Sequence, residues 1–230
     1  MMAIFEVFYQ PGKLFASLPE RRWAWVAPLI LGVLLTLCTT VALVHTIGME
    51  TIVRQQMEAR GSNLSPEQMQ QALNNATRPG ILYLTYAAAV FGGILVPLLI
   101  ALLLRFLAIV GSHQPRFGTM FSMVTLAFLP YSAVACLMTV LVLYTSPDKT
   151  VLDYQNLLAT NIGAFMNRET TSKGLYALLT SIDLLTFCEI GLMSYGFSKV
   201  TRSSFFYGLM SVGTLWVVYV AGKVGLSLLF

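Results

Sequence analysis

The chain has 230 residues, of which 57% are hydrophobic and 10% charged, and its mean hydropathy is +0.73. A soluble domain carries about 25% charged residues, and the 10 Asp/Glu and 14 Lys/Arg of this chain cannot keep a surface of its size wet. Soluble enzyme, nucleic-acid binder, disordered tail and disulfide scaffold are therefore excluded as classes, and lipid is the main solvent.

Before the first long apolar run, Ile4, Phe5, Phe8, Leu14, Phe15 and Leu18 form an apolar set broken at Pro11-Gly12. This pattern predicts a short amphipathic helix–turn–helix over residues 1–22, lying on the cytoplasmic leaflet. Glu6 and Glu20 interrupt the segment, so it lacks the layout of a cleaved signal peptide.

A membrane span needs about 20 mostly apolar residues. Five stretches qualify: 23–47, 81–110, 121–144, 175–197 and 205–230. Trp23 and Trp25 open the first as interfacial aromatics. Lipid offers no partner for a bare backbone, so all five are expected as helices, giving an all-α polytopic bundle over 23–230. Two long polar loops, 48–80 and 145–174, separate the spans. In the first, Ser65-Pro66-Glu67 reads as an N-cap, a Pro at the first helical position and an early acid.

Charge sets the expected orientation. Lys13, Arg21 and Arg22 outweigh Glu6 and Glu20 in the N-terminal segment. The short connections hold Arg105 with Arg116 and Lys199 with Arg202, without acids, whereas each long loop balances its charges. Positive excess marks the cytoplasmic side, so the N-terminus is expected inside, and the long loops and the C-terminus outside. Cys38, Cys136 and Cys188 all fall in apolar runs and read as small core residues. No spacing suggests a metal site or a bound cofactor.

Ionisable groups inside a span are expensive and are candidates for function. Three stand out: Asp183 and Glu189 in the fourth span, and Lys223 in the fifth. Counted from the cytoplasmic turn at about 1.5 Å per residue, Glu189 sits roughly 14 Å deep, Asp183 roughly 22 Å and Lys223 roughly 28 Å. The antiparallel fourth and fifth helices would bring Asp183 and Lys223 to similar depth, where they are expected to pair. Each residue also has a structural reading: Lys223 snorkels to the surface, Asp183 accepts from helix-end or hydroxyl donors such as Ser181 or Thr186, and Glu189 is a hydrogen-bonded structural group. Gly92, Gly93 and Pro97 in the second span and Pro130 in the third are expected kinks. Gly191, Ser194, Gly208, Ser211, Gly213, Gly222 and Gly225 suit close helix packing. Asn63-Leu64-Ser65 and Asn75-Ala76-Thr77 match the glycosylation sequon, which matters only in a eukaryotic secretory setting. No P-loop, nucleophile elbow or zinc-protease motif is present, so an enzyme is not expected.

Tyr9-Gln10-Pro11-Gly12-Lys13-Leu14-Phe15, with Trp23 and Ala27-Pro28-Leu29 at the first span, resembles bacterial members of the Yip1-domain family. So do Phe117 to Phe121 leading to Ala127-Phe128-Leu129-Pro130, and Asn161-Ile162-Gly163-Ala164-Phe165 through Thr180-Ser181-Ile182-Asp183-Leu184-Leu185 to Gly196-Phe197-Ser198. The resemblance implies a five-helix membrane domain with a cytoplasmic N-terminus and no catalytic residues. Eukaryotic relatives take part in vesicle trafficking and bind prenylated small GTPases, and they carry a long polar cytoplasmic N-terminus that this sequence lacks. The chain also departs at Thr186-Phe187-Cys188-Glu189, where bacterial relatives often carry a Trp. Some bacterial relatives accompany ABC-type export systems.

The resulting expectation is a non-enzymatic integral membrane protein of the bacterial inner membrane, acting as scaffold or accessory subunit of an ABC-type export or membrane-trafficking system. Its expected partners are the bilayer, a membrane protein such as an ABC-type transporter, and a second copy of itself. The alternative is a small proton- or ion-linked carrier or channel that uses Glu189 and Asp183.

Overall fold

The computed structural model describes residues 2–21, 23–59, 65–149, 152–153, 156–168 and 170–229. Readings that involve Arg22, Arg60, Asn63, Leu64, Tyr154, Gln155, Glu169 or Phe230 lie outside the described residues. Among those described, every regular element is helical.

The N-terminal segment forms α1 (Met2–Tyr9) and α2 (Pro11–Ser17). They part at Gln10, because a residue before proline is pushed out of helical geometry while Pro11 itself is well suited to begin the next helix. This segment does not simply lie on a leaflet. Leu14, Phe15 and Leu18 are buried in the bundle core, and α2 packs along α9 (Leu184–Thr201). Only α1 keeps an outward apolar face, with Phe5, Phe8 and Tyr9 exposed.

After α3 (Val26–Ile47), Gly48 turns the chain with a φ of 87°, which glycine tolerates without strain. The first long loop contains α4 (Met49–Ala59) and α5 (Pro66–Ala76). Ser65 starts α5 with a reciprocal cap: Gln68 N donates to Ser65 Oγ at 3.3 Å, and Ser65 N donates to Gln68 Oε1 at 3.0 Å. Next come α6 (Pro79–Val110) and α7 (Phe117–Thr145), which run unbroken through Gly92, Gly93, Pro97 and Pro130.

Among the described residues, four helices are long and apolar enough to cross a membrane: α3, α6, α7 and α10 (Phe205–Leu229). The expected fourth span, 175–197, is not one helix. It is split into α8 (Lys173–Leu179) and α9, which starts at Leu184. The cause is local. Thr180 and Ser181 turn their hydroxyls back onto the carbonyls of Tyr176 and Ala177, and Asp183 adopts extended backbone to cap α9. Short polar side chains that compete for backbone groups thus outweigh the apolar run around them.

At its other end α9 stops on Arg202, in left-handed geometry with a φ of 56°, and Ser204 Oγ accepts from Tyr207 N to begin α10. The resulting hairpin is tight: Gly208 lies against the Ser194 carbonyl, where any Cβ would collide. Gly191, Gly213, Gly222 and Gly225 behave otherwise; a Cβ there would meet nothing within 4 Å, so they lie on open surface and not in a helix seam.

The middle of the bundle is α7, flanked by α3, α6 and α9. Its residues from Thr119 to Ala127 are all buried, packed with Leu104, Phe197 and Phe15 of the neighbouring helices. A second, smaller cluster of Ile47, Ile52 and Leu143, with Leu43, Leu152 and Leu157, closes the opposite end. Outward faces carry apolar residues such as Phe91, Leu95 and Phe106 of α6 and Val217 and Leu226 of α10. Hydroxyls of Thr36, Thr39 and Thr40 donate to carbonyls within α3, which lets them sit in lipid without an unmet donor.

Candidate functional site

Between the large core and the smaller cluster the packing opens into a cavity of about 420 Å³. Tyr131, Ala135 and Thr139 of α7 form one wall, and Trp216, Tyr219 and Lys223 of α10 another. Thr180, Ser181 and Asp183 of the α8–α9 break, with Asn156 and Asn161 of the second long loop, complete it. The cavity therefore exists because α9 begins late.

The break presents opposite helix ends to opposite charges. Lys223 Nζ donates to Thr180 Oγ1 at 2.9 Å and to Ser181 Oγ at 3.0 Å. Those hydroxyls donate onward to Tyr176 O and Ala177 O, so the ammonium is coupled to the carbonyl end of α8. Asp183 Oδ2 accepts from Thr186 N at 2.9 Å and Thr186 Oγ1 at 2.8 Å, at the N–H end of α9. Its other oxygen, Oδ1, is buried and has no hydrogen-bond partner among the described residues.

Non-helical backbone at membrane depth must find its own partners, and the second long loop supplies them. Leu184 N donates to Thr160 O at 3.1 Å and Ile162 N to Ile182 O at 3.2 Å, forming a short bridge between Asn161 and Asp183. Asn161 is the hinge of this loop. Its Oδ1 accepts from Ala164 N at 3.0 Å, and its Nδ2 donates to Asn156 Oδ1 at 3.2 Å. Asn156 in turn donates to Asp153 and to the Tyr176 hydroxyl on α8. Gly163 lies so close to Thr180 that a side chain there would displace the break itself.

The structure brings Asp183 and Lys223 to one cavity but forms no ion pair between them, contrary to the expected pairing. The hydroxyls of Thr180 and Ser181 are nearer to the ammonium and take its bonds. Glu189 does not line the cavity. It sits half-buried further along α9, within electrostatic reach of Asp183, and has no hydrogen-bond or ion-pair partner among the described residues. Gly92, Gly93, Pro97 and Pro130 take no part in the site either; Gly93 faces Val33 of α3, and a Cβ at Gly92 would meet nothing within 4 Å. Cys38 and Cys188 are exposed and Cys136 is buried, so two of the three are not core residues. No group of three His, Cys, Asp or Glu among the described residues could hold a metal ion.

Sequence reasoning missed Thr180 and Ser181 as ligands of Lys223, and it missed the aromatic wall of Tyr131, Trp216 and Tyr219. One signal was present: Thr180-Ser181-Ile182-Asp183 places three helix-capping residues in four positions inside an apolar run.

Fold and site together define a polytopic helical membrane protein with a polar cavity at a discontinuous helix. The sequence model of the Yip1 domain matches residues 5–224, nearly the whole chain, and the protein belongs to the Yip1 domain family. No curated protein and no solved structure matches the chain.

Proposed function

We propose that this protein is a non-enzymatic scaffold or accessory subunit of a membrane assembly, held in a bacterial cytoplasmic membrane with its N-terminus inside. In this reading α8 and α9 together make the fifth crossing, antiparallel to α10. The partner is a membrane protein such as an ABC-type export transporter or a component of membrane trafficking. One observation carries the proposal: α7 is buried without a gap from Thr119 to Ala127, so the polar opening belongs to one end of the bundle and does not run through it. Such a layout suits recognition at a membrane face better than conduction.

The test is crosslinking of the tagged full chain in native membranes, followed by purification and mass spectrometry. A membrane protein recovered in fixed ratio is expected; a chain that stays solitary under crosslinking overturns the proposal. A second reading, an ion- or proton-linked carrier, is favoured by the unpartnered Asp183 Oδ1 at a broken helix, a layout that transporters use to hold ions. Purified chain in proteoliposomes with an internal pH dye separates the two. The scaffold reading predicts no flux, and flux abolished by Glu189→Gln or Asp183→Asn would replace it.

A further inference from the structure

We propose that the cavity at the α8–α9 break binds an ammonium–phosphate zwitterion, its ammonium at Asp183 and its phosphate at Lys223. The inference goes beyond the accessory reading, which requires a partner protein but assigns no ligand.

Two opposite charges line one cavity without neutralising each other. Lys223 uses two of its three N–H donors on Thr180 and Ser181, both neutral, and keeps one donor for a ligand. Asp183 keeps an acceptor oxygen that is buried and without a partner among the described residues. A simple anion would satisfy the lysine and leave the carboxylate oxygen stranded, and a simple cation would do the reverse. A buried polar group left unmade is the costly outcome, so the complementary ligand carries both charges. The two poles lie beyond ion-pair range of each other. A ligand that meets both poles therefore carries its charges apart, as an ammonium–phosphate zwitterion does.

The walls agree with that chemistry. Hydroxyls of Tyr131, Thr139 and Tyr219, all on lining residues, have no hydrogen-bond partner among the described residues and can meet phosphate oxygens or ammonium protons. Tyr131, Trp216 and Tyr219 also line the cavity, and aromatic faces attract an ammonium that reaches them. A volume of about 420 Å³ is in the range of small-ligand pockets.

Depth and surroundings favour a lipid headgroup as the source of the zwitterion. Lys223 lies roughly 27 Å along α10 from Phe205, and a hydrocarbon core is about 30 Å thick, so the cavity sits near one headgroup layer. Beside it, Ile162, Phe165 and Met166 of the second long loop are exposed, with Phe165 at 80%, as suits a loop resting in the interface and not in water. Tyr219 is exposed on α10 and marks a rim open toward the lipid side.

Native mass spectrometry of the detergent-solubilised full chain tests this, using dihexanoyl phosphatidylethanolamine, dihexanoyl phosphatidylglycerol and soluble glycerophosphoethanolamine as probes. The ethanolamine lipid is expected to bind at least about tenfold more tightly than the glycerol lipid, which lacks the ammonium. Asp183→Asn keeps a capping oxygen for Thr186 and should erase that preference, while Lys223→Met should weaken both lipids. Ala135→Phe fills the cavity without touching a charge and should remove binding in a chain that keeps its helical content. Tight binding of glycerophosphoethanolamine identifies a soluble zwitterion as the source, and binding of the lipid alone identifies the headgroup. Equal affinity for the two lipids, a preference that survives Asp183→Asn, binding that survives Ala135→Phe, or no binding by any probe overturns the proposal. A chain found without a protein partner leaves this result untouched, so the two proposals fail separately.

Discussion

Two stretches of α7 are built from similar residues and behave differently. From Thr119 to Ala127 the helix is sealed on every side, and the hydroxyls of Ser122 and Thr125 donate to carbonyls of their own helix. From Tyr131 to Thr139 it lines a cavity, and the Thr139 hydroxyl has no such bond. Nothing in the composition of α7 separates the two. The difference comes from the neighbour: beside the first stretch α9 is a regular helix, and beside the second it has given way to the turn at Thr180–Asp183. A cavity wall can thus be set by a backbone break in a different element.

This contrast can be broken first at the sealed end. Phe15→Ala should cost about 3–5 kcal/mol, because it empties a fully enclosed site between α2, α7 and α9. Unfolding of the detergent-solubilised protein by SDS titration or heating, followed by circular dichroism, measures it. A near-neutral result would mean that the N-terminal helices are not part of the packed half. Gly208→Val comes next, at about 1–3 kcal/mol, since its side chain must push α10 off the Ser194 carbonyl. The same titration should show it, and a stable variant would argue against the tight hairpin.

At the open end the expected effects are smaller. Asp183→Ala removes the α9 cap and should cost about 0.5–2 kcal/mol, with Asp183→Asn much milder because asparagine also caps. If both variants unfold alike, charge and not capping holds the break. Lys223→Met should change stability by less than about 1 kcal/mol, because two lost hydrogen bonds are offset by the relief of a desolvated charge. A large loss of stability would make Lys223 a structural staple.

Much of the fold was legible from composition and run length alone. Four of the five expected spans appear as long apolar helices, and Ser65-Pro66-Glu67 begins α5. Those features depend on local sequence, which is why they could be read. The fourth span could not be read the same way, because hydropathy averages over a window and dilutes the capping residues Thr180, Ser181 and Asp183. The site was half visible: Asp183 and Lys223 were marked by charge, and their shared cavity was not. Lys223 finds its partners in hydroxyls of the break, and the break is held by a loop through Asn156 and Asn161, contacts that depend on tertiary placement. Part of one stretch that resembles the family, Asn161–Phe165 with Thr180–Leu185, is the loop and break that build this cavity.

The contrast between the two stretches of α7 rests on one claim, that the break admits water and solutes to one end of the bundle only. Two alanines on the same helix test it, Ala127 in the sealed half and Ala135 on the cavity wall. With Cys38, Cys136 and Cys188 replaced by alanine, Ala127→Cys and Ala135→Cys can be labelled in proteoliposomes with a membrane-impermeant maleimide. Rapid labelling at position 135 and none at position 127 is the predicted result, and equal protection of both cysteines would contradict it.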